Sequence, residues 1–315
     1  MSIFDQAKDL TCLIRSKSTQ GTGFHYGQGY IITNSHVIGE KAKYLKDTTI
    51  TFPNGTTISC DDVGFCFLFK ITEKVGEVLD FAIFQVSGNL PPGITDLGID
   101  FKDMKLPQYA SLFCPHYGGD IDNDEGPWFS FELLKSVSTE YPYEIERENV
   151  TTESGASGAP IFFNDGKSLC LIGIHYSGNG KTAFGLYFKE IHKVLAEIRT
   201  FIAKQLYLET AKQLVNDPII GSNAKDMIQN CMNNMLRVTF VKEYCVLFRH
   251  GIIIEQGNTS THPMTMAPQQ QCTILSQPTP QTVPTKSVPK WVLNGVGAIF
   301  IGIIAYSMVS INNTK

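Results

Sequence analysis

From about residue 11 to residue 188 the chain alternates short runs of β-branched and aromatic residues with Gly, Pro, Asn and Asp. The apolar runs cover residues 11–15, 30–33, 49–52, 65–71, 81–86, 110–114, 169–175 and 184–188. Runs of this length, bounded by turn formers, predict strands. Phe52-Pro53-Asn54-Gly55-Thr56-Thr57-Ile58 predicts a hairpin whose Asn-Gly pair supplies the positive φ of the turn. Regular short strands with such turns predict a sandwich or barrel rather than βαβ units, so this part of the chain reads as mainly β. The period then changes. Ile191, Val194, Leu195, Ile198, Ile202, Leu206 and Leu214 fall on one stripe of a helix over residues 190–215, with Lys, Glu and Arg opposite. Asp217-Pro218 ends that pattern, residues 223–236 predict a second helix, and residues 237–254 predict one or two apolar strands.

Two further shifts divide the remainder. Residues 257–290 are rich in Pro, Thr, Gln and Ser with almost no charge, which predicts a disordered linker that cannot bury enough apolar surface to order itself. Residues 291–311 begin Trp291-Val292-Leu293 and carry no charge between Lys290 and Lys315. As a helix, some two dozen such residues span roughly 36 Å against about 30 Å of hydrocarbon. Trp291 and Tyr306 suit the two interfaces, and Lys290 suits the inner side. With so few residues after it, this span is expected to insert after translation as a single-pass tail anchor, leaving the rest of the chain facing the cytosol; the organelle stays open. Ala298 and Gly302 offer a small-residue face for self-association through the anchor. The expected domains are therefore 1–200, a helical and strand extension at 201–256, the linker at 257–290 and the anchor at 291–311.

Charge narrows the function classes. Twenty-six Lys and Arg against 30 Asp and Glu give a net charge of −4, with no basic run to hold phosphates, so nucleic acid is not an expected partner. The eight cysteines are scattered without Cys-x-x-Cys or Cys/His ligand spacing, which predicts free, buried thiols and no metal site. No apolar segment at the N-terminus reads as a secretory signal.

The candidate chemistry sits in Glu153-Ser154-Gly155-Ala156-Ser157-Gly158-Ala159-Pro160-Ile161-Phe162. A turn of small residues presents one hydroxyl, Ser157, before an apolar strand, and the N–H groups of Gly155 and Ser157 are candidates for stabilising an oxyanion. Upstream, Thr33-Asn34-Ser35-His36-Val37 holds a histidine at a strand edge after Gly21-Thr22-Gly23-Phe24, and Asp80 stands immediately before the apolar Phe81-Ala82-Ile83-Phe84. Each motif alone is also an ordinary turn or strand end. Their combination, in the order His, Asp, Ser, is specific.

Together these motifs resemble the chymotrypsin/trypsin-like serine proteases (the PA clan), with an HtrA-like segment around the histidine, over roughly residues 10 to 195. The resemblance implies a chymotrypsin-like double β-barrel followed by C-terminal helices. His36 is then the general base, Asp80 its orienter and Ser157 the nucleophile, with an oxyanion hole at Gly155 and Ser157 and no cofactor. Ala156 stands where many relatives have Asp or Asn, and Ala159 where most have Gly. With Ala156 in place, activation by pairing a newly released N-terminus is not expected, so competence is preformed or induced by substrate or partner. Thr152 together with Ile172-Gly173-Ile174-His175 resembles the S1 motif of picornaviral chymotrypsin-like proteases. That likeness implies that Thr152 and His175 receive the side-chain carbonyl of a P1 glutamine or glutamate.

The expected function is thus a serine endopeptidase acting on protein or peptide substrates from a membrane. Two other readings stand beside it: a catalytically idle trypsin-like binding module or scaffold at a membrane, and a viral polyprotein-processing protease.

Overall fold

A strand such as Gly64-Phe65-Cys66-Phe67-Leu68-Phe69 is apolar throughout because both of its faces are buried. The computed structural model describes residues 2–17, 19–39, 42–59, 63–69, 80–86, 100–101, 105–119, 126–138, 144–150, 153–164, 168–235, 245–249 and 252–255. All of them lie in one compact unit, Met1–Thr261. The expected linker at 257–290 and anchor at 291–311 fall outside the described residues. Among the described residues, no helix is long and apolar enough to cross a membrane.

The chain opens with α1 (Ile3–Leu10), started by a capping box in which Ser2 and Asp5 satisfy each other's backbone N–H groups. A first sheet follows: β1 (Thr11–Ser16), β2 (Thr19–Gly27), β3 (Tyr30–Thr33), β4 (Thr48–Thr51), β5 (Thr57–Ser59), β6 (Val63–Phe69) and β7 (Ala82–Val86). The short helix α2 (Ser35–Ile38) sits between β3 and β4. The second sheet holds β8 (Asp100–Phe101), β9 (Ser111–His116), β10 (Trp128–Val137), β11 (Glu144–Glu148), β12 (Pro160–Asn164), β13 (Leu169–Gly178) and β14 (Thr182–Tyr187). Its order is β12-β9-β10-β11-β14-β13-β8, and a further β12–β13 pairing closes the ring. The architecture is mainly β, two barrels with C-terminal helices, as the strand pattern and the resemblance predict.

Period-two alternation assigns each strand face. Cys12, Ile14, Ile31, Cys66, Ala82 and Phe84 fill the first barrel. Their sequence neighbours Tyr30, Ile32, Phe65, Phe67, Phe81 and Ile83 point the other way, into a core shared with Phe113, Phe162 and Leu171 of the second sheet. Leu112, Cys114, Leu134, Ile145, Ile161 and Ile172 fill the second barrel. The two barrels therefore share a continuous apolar core.

The long helix α3 (Phe188–Asn216) buries Ile191, Val194, Leu195, Ile198 and Ile202 in that shared core. Leu206, expected on the same buried stripe, is 49% exposed. From there on the helix packs with α4 (Ser222–Met235), through a small cluster of Leu208, Ala211 and Met232. The apolar strands expected near 237–254 form a hairpin, β15 (Cys245–Arg249) and β16 (Ile252–Glu255), and β15 adds to the edge of the first sheet beside β6. Cys12, Cys66, Cys114 and Cys170 are buried and outside any disulfide, while Cys231 is exposed. Burial pushes the Cys12 and Cys114 thiols well above the usual range.

Candidate active site

β3 ends at Thr33, and the chain turns into α2 with His36 on its surface. Three buried polar contacts hold that turn. The Asn34 side-chain N–H donates to the Asp80 carbonyl at 2.6 Å, and the Ser35 hydroxyl lies 2.5 Å from the Phe69 carbonyl and 2.6 Å from that of Phe81. Asp80, 2% exposed, directs both carboxylate oxygens at one residue. Its Oδ1 accepts the backbone N–H of His36 at 3.1 Å, and its Oδ2 lies 2.6 Å from His36 Nδ1. A carboxylate can only accept, so the Nδ1 proton belongs to this bond and Nε2 keeps its lone pair. The His36 side chain is 41% exposed, which leaves Nε2 accessible to a reacting group.

The Ser157 turn belongs to the second barrel but is laid directly on the first. The Thr22 N–H donates to the Ser157 carbonyl at 2.8 Å. A Cβ built on Gly158 would stand 2.1 Å from the Thr22 carbonyl, 2.3 Å from Thr33 Oγ1 and 3.1 Å from Asn34 N. The serine loop thus touches the same strand end that carries His36.

The peptide planes of the turn are held one by one. Gly119 N–H donates to the Ser154 carbonyl at 2.9 Å, so the Gly155 N–H on the same trans peptide faces away from that bond. Thr22 Oγ1 donates to the Gly155 carbonyl at 2.8 Å, and Ala156 N–H turns inward to the Glu153 carbonyl at 3.1 Å. The N–H groups of Gly155 and Ser157 have no protein acceptor among the described residues. Two free donors two residues apart, beside a half-buried hydroxyl, have the composition an oxyanion hole needs. Gly155 is required here because a Cβ would meet the Tyr117 carbonyl at 2.4 Å.

Thr22 was legible only as part of a glycine motif, yet it ties the site together. Besides its two bonds to the serine turn, its Oγ1 accepts the Tyr117 N–H at 2.9 Å, and its carbonyl accepts the Thr33 hydroxyl at 2.6 Å. Thr22→Val keeps the shape and removes the Oγ1 bonds. We expect kcat to fall about tenfold to a hundredfold with little change in KM, because the loop is misplaced for the transition state more than for binding. Steady-state kinetics on any cleaved peptide measures this.

β13 passes next to the serine loop: Gly158 N–H donates to the His175 carbonyl at 2.8 Å, and His175 N–H to the Ala159 carbonyl at 2.9 Å. His175 is buried, and its Nδ1 lies 2.5 Å from Arg147 Nη2. Arg147 also pairs with Glu132, and both side chains are fully buried. Burial, then the Arg147 charge, then His116 and His36 hold the His175 pKa well below the ordinary value. His116 is buried alongside, accepts the Gly118 N–H at 3.0 Å, and is lowered to about 4 by desolvation and Arg147. Glu132, Arg147 and His116 were missed in the sequence because each stands at an inward position of a strand whose neighbours are ordinary core residues. Thr152 lies outside the described residues. Among the described residues, no cluster of His, Cys, Asp and Glu is arranged to hold a metal ion.

Residues 21–174 match the family model for a trypsin-like peptidase domain. Among solved structures, the active form of the Rv3671c protease from M. tuberculosis is similar at 19% identity, over 62% of this chain and 82% of that one, with a TM-score of 0.45. The scabies mite inactivated protease paralogue S-I1 is similar at 15% identity, over 62% of this chain and 96% of that one, with a TM-score of 0.48. Catalytically active tobacco etch virus protease, complexed with product, is similar at 16% identity over 59% and 76%, with a TM-score of 0.41.

Proposed function

Residues 21–174 form a trypsin-like peptidase domain, and on that premise we propose that the chain is a serine endopeptidase using His36, Asp80 and Ser157. The observation that carries the reading is the 2.6 Å contact between His36 Nδ1 and Asp80 Oδ2, on a turn against which the Ser157 loop is packed. His36 Nε2 removes the Ser157 proton as Oγ attacks the scissile carbonyl, forming a tetrahedral intermediate and an imidazolium. The Gly155 and Ser157 N–H groups receive the oxyanion, and Asp80 stabilises the imidazolium. Collapse expels the amine, which takes the proton from His36, and water then hydrolyses the acyl-serine by the same steps in reverse.

The P1 residue is glutamine or glutamate, with its side-chain carbonyl received by His175 and Thr152. Supporting this are the position of His175, one β-bridge from the serine loop, and its neutral, buried ring. The substrates are proteins that reach the same membrane, to which residues 291–311 tether the enzyme with its protease domain in the cytosol. The apolar, uncharged composition of that span supports the tether. The anchor also offers the Ala298 and Gly302 face for self-association.

The test is a diverse peptide library incubated with the detergent-solubilised full chain and with its Ser157→Ala variant. Cleavage after Gln or Glu that drops by about 10⁶ in the variant supports both the chemistry and the P1 assignment. Cleavage after other residues overturns the P1 assignment, and equal turnover by the variant overturns the nucleophile. For the tether, the chain is expected to stay with membranes through alkaline carbonate washing; release into the supernatant contradicts it.

A further inference from the structure

Two charged side chains with no exposed surface lie inside the second barrel, where the neighbouring inward positions are Leu134 and Ile145. Glu132 of β10 pairs through Oε2 with Arg147 Nη1 of β11, and its Oε1 accepts the Ser130 hydroxyl at 2.9 Å. The other terminal guanidinium nitrogen, Nη2, lies 2.5 Å from His175 Nδ1 and donates to the Phe184 carbonyl at 3.3 Å. Burying such a pair is seldom a net gain in stability over apolar residues of the same volume. Its position suggests another role, because the pair ends on a histidine whose backbone is bonded to the serine loop.

A guanidinium has only donors, so in its bond with Arg147 the Nδ1 of His175 is the acceptor. The ring proton therefore sits on Nε2, which has no partner among the described residues. The other titratable or charged groups around the ring are His116 on β9 and His36 on α2, with Cys114 beside Arg147 and Glu132. None of them can give Nδ1 a proton while Arg147 occupies it. The arrangement presents a single fixed N–H donor on a neutral ring, backed by a cation and an anion whose charges cancel.

Resting on the reading of His175 as a P1-binding residue, we propose that Arg147 and Glu132 are positioning residues for specificity. They hold His175 as a neutral Nε2–H donor with no net charge behind it, so that the enzyme takes P1 glutamine in preference to glutamate. A neutral amide oxygen is satisfied by such a donor, whereas an ionised carboxylate loses its hydration and finds no uncompensated positive charge.

The experiment compares two peptides that differ only in P1 Gln or Glu, cleaved by the full chain in detergent and by its Glu132→Gln and His175→Ala variants, between about pH 6 and pH 8. The wild type is expected to favour Gln at least about tenfold, with kcat/KM for Gln showing no dependence on His175 ionisation. Glu132→Gln keeps an acceptor for Arg147 but removes the negative charge, so the Gln-to-Glu ratio should fall about tenfold or more as the guanidinium becomes uncompensated. A folded Glu132→Gln enzyme with the wild-type ratio overturns the proposal. Nitrogen-15 NMR of histidine-labelled wild type gives a readout that needs no variant to fold. A protonated Nε2 with an unprotonated Nδ1 for His175 across this pH range is the expected result, and a proton on Nδ1 overturns it. If His175→Ala leaves the P1 profile unchanged, the P1 reading itself fails. If His175→Ala erases the Gln preference while Glu132→Gln leaves it intact, only the role of the buried pair fails.

Discussion

Asp80→Asn is expected to lower kcat about 10⁴-fold, the loss seen when the matching carboxylate of a related triad is replaced, with KM changed only a few-fold. The geometry gives the cause. In the wild type, Oδ1 accepts the His36 backbone N–H at 3.1 Å, while Oδ2 faces Nδ1 at 2.6 Å. An asparagine must keep its oxygen on the backbone N–H, since two donors cannot face each other, so its NH₂ group is turned towards Nδ1. Nδ1 then becomes the acceptor, the ring proton moves to Nε2, and the nitrogen that should receive the Ser157 proton has none of its lone pair left. The variant folds, because the Asn34 bond goes to the backbone carbonyl of residue 80 and is untouched. Steady-state kinetics on a cleaved peptide reads the effect. A variant within tenfold of wild type would mean that Asp80 does not orient the base.

The second large effect is structural. Gly158→Ala is expected to cost on the order of 4 kcal/mol of stability, and any enzyme that still folds should be at least about a hundredfold slower. Residue 158 has φ +88°, a left-handed conformation that disfavours a Cβ. That Cβ would also lie 2.1 Å from the Thr22 carbonyl, which is backbone and itself bonded to the Thr33 hydroxyl. Relief requires the serine loop to lift away from the strand end that carries His36. Gly55→Ala is the control: it has a similar φ of +81° but nothing within 4 Å of the added carbon. It should lose only about 1–2 kcal/mol and keep full activity. Thermal or denaturant unfolding together with peptide turnover distinguishes the two. Equal behaviour of the two variants would remove the close approach as the cause.

The strands and helices were legible because their apolar residues recur with local periods. The runs at 30–33 and 169–175 and the stripe from Ile191 to Ile202 each report a neighbour they must be buried against. α1 escaped notice because eight residues carry little periodicity, although Ser2 and Asp5 form its capping signal. β10 and β11 were also missed. Their alternation is interrupted by Glu132 and Arg147, which read as solvent-facing charges until the barrel closes and puts both inside. Leu206 failed in the opposite direction: its stripe continues in sequence after the barrels it would cover have ended.

The candidate site divides along the same line. His36, Asp80, Gly155 and Ser157 stand in short motifs whose local chemistry and order can be read from the residues themselves, whereas His175 was marked only by its resemblance to a viral S1 motif. The Asp80–His36 contact, the approach of Gly158 to Thr22, and the chain from Glu132 through Arg147 to His175 join residues that are far apart in sequence. The sequence by itself determined the mainly β fold, the turn that carries the hydroxyl, and the types of side chain available for proton transfer, because those depend on local periodicity and on the chemistry of single residues. Only the tertiary structure decided which nitrogen of His36 and of His175 holds the proton, since a tautomer is set by the partner across the barrel and not by the residues next to it in the chain.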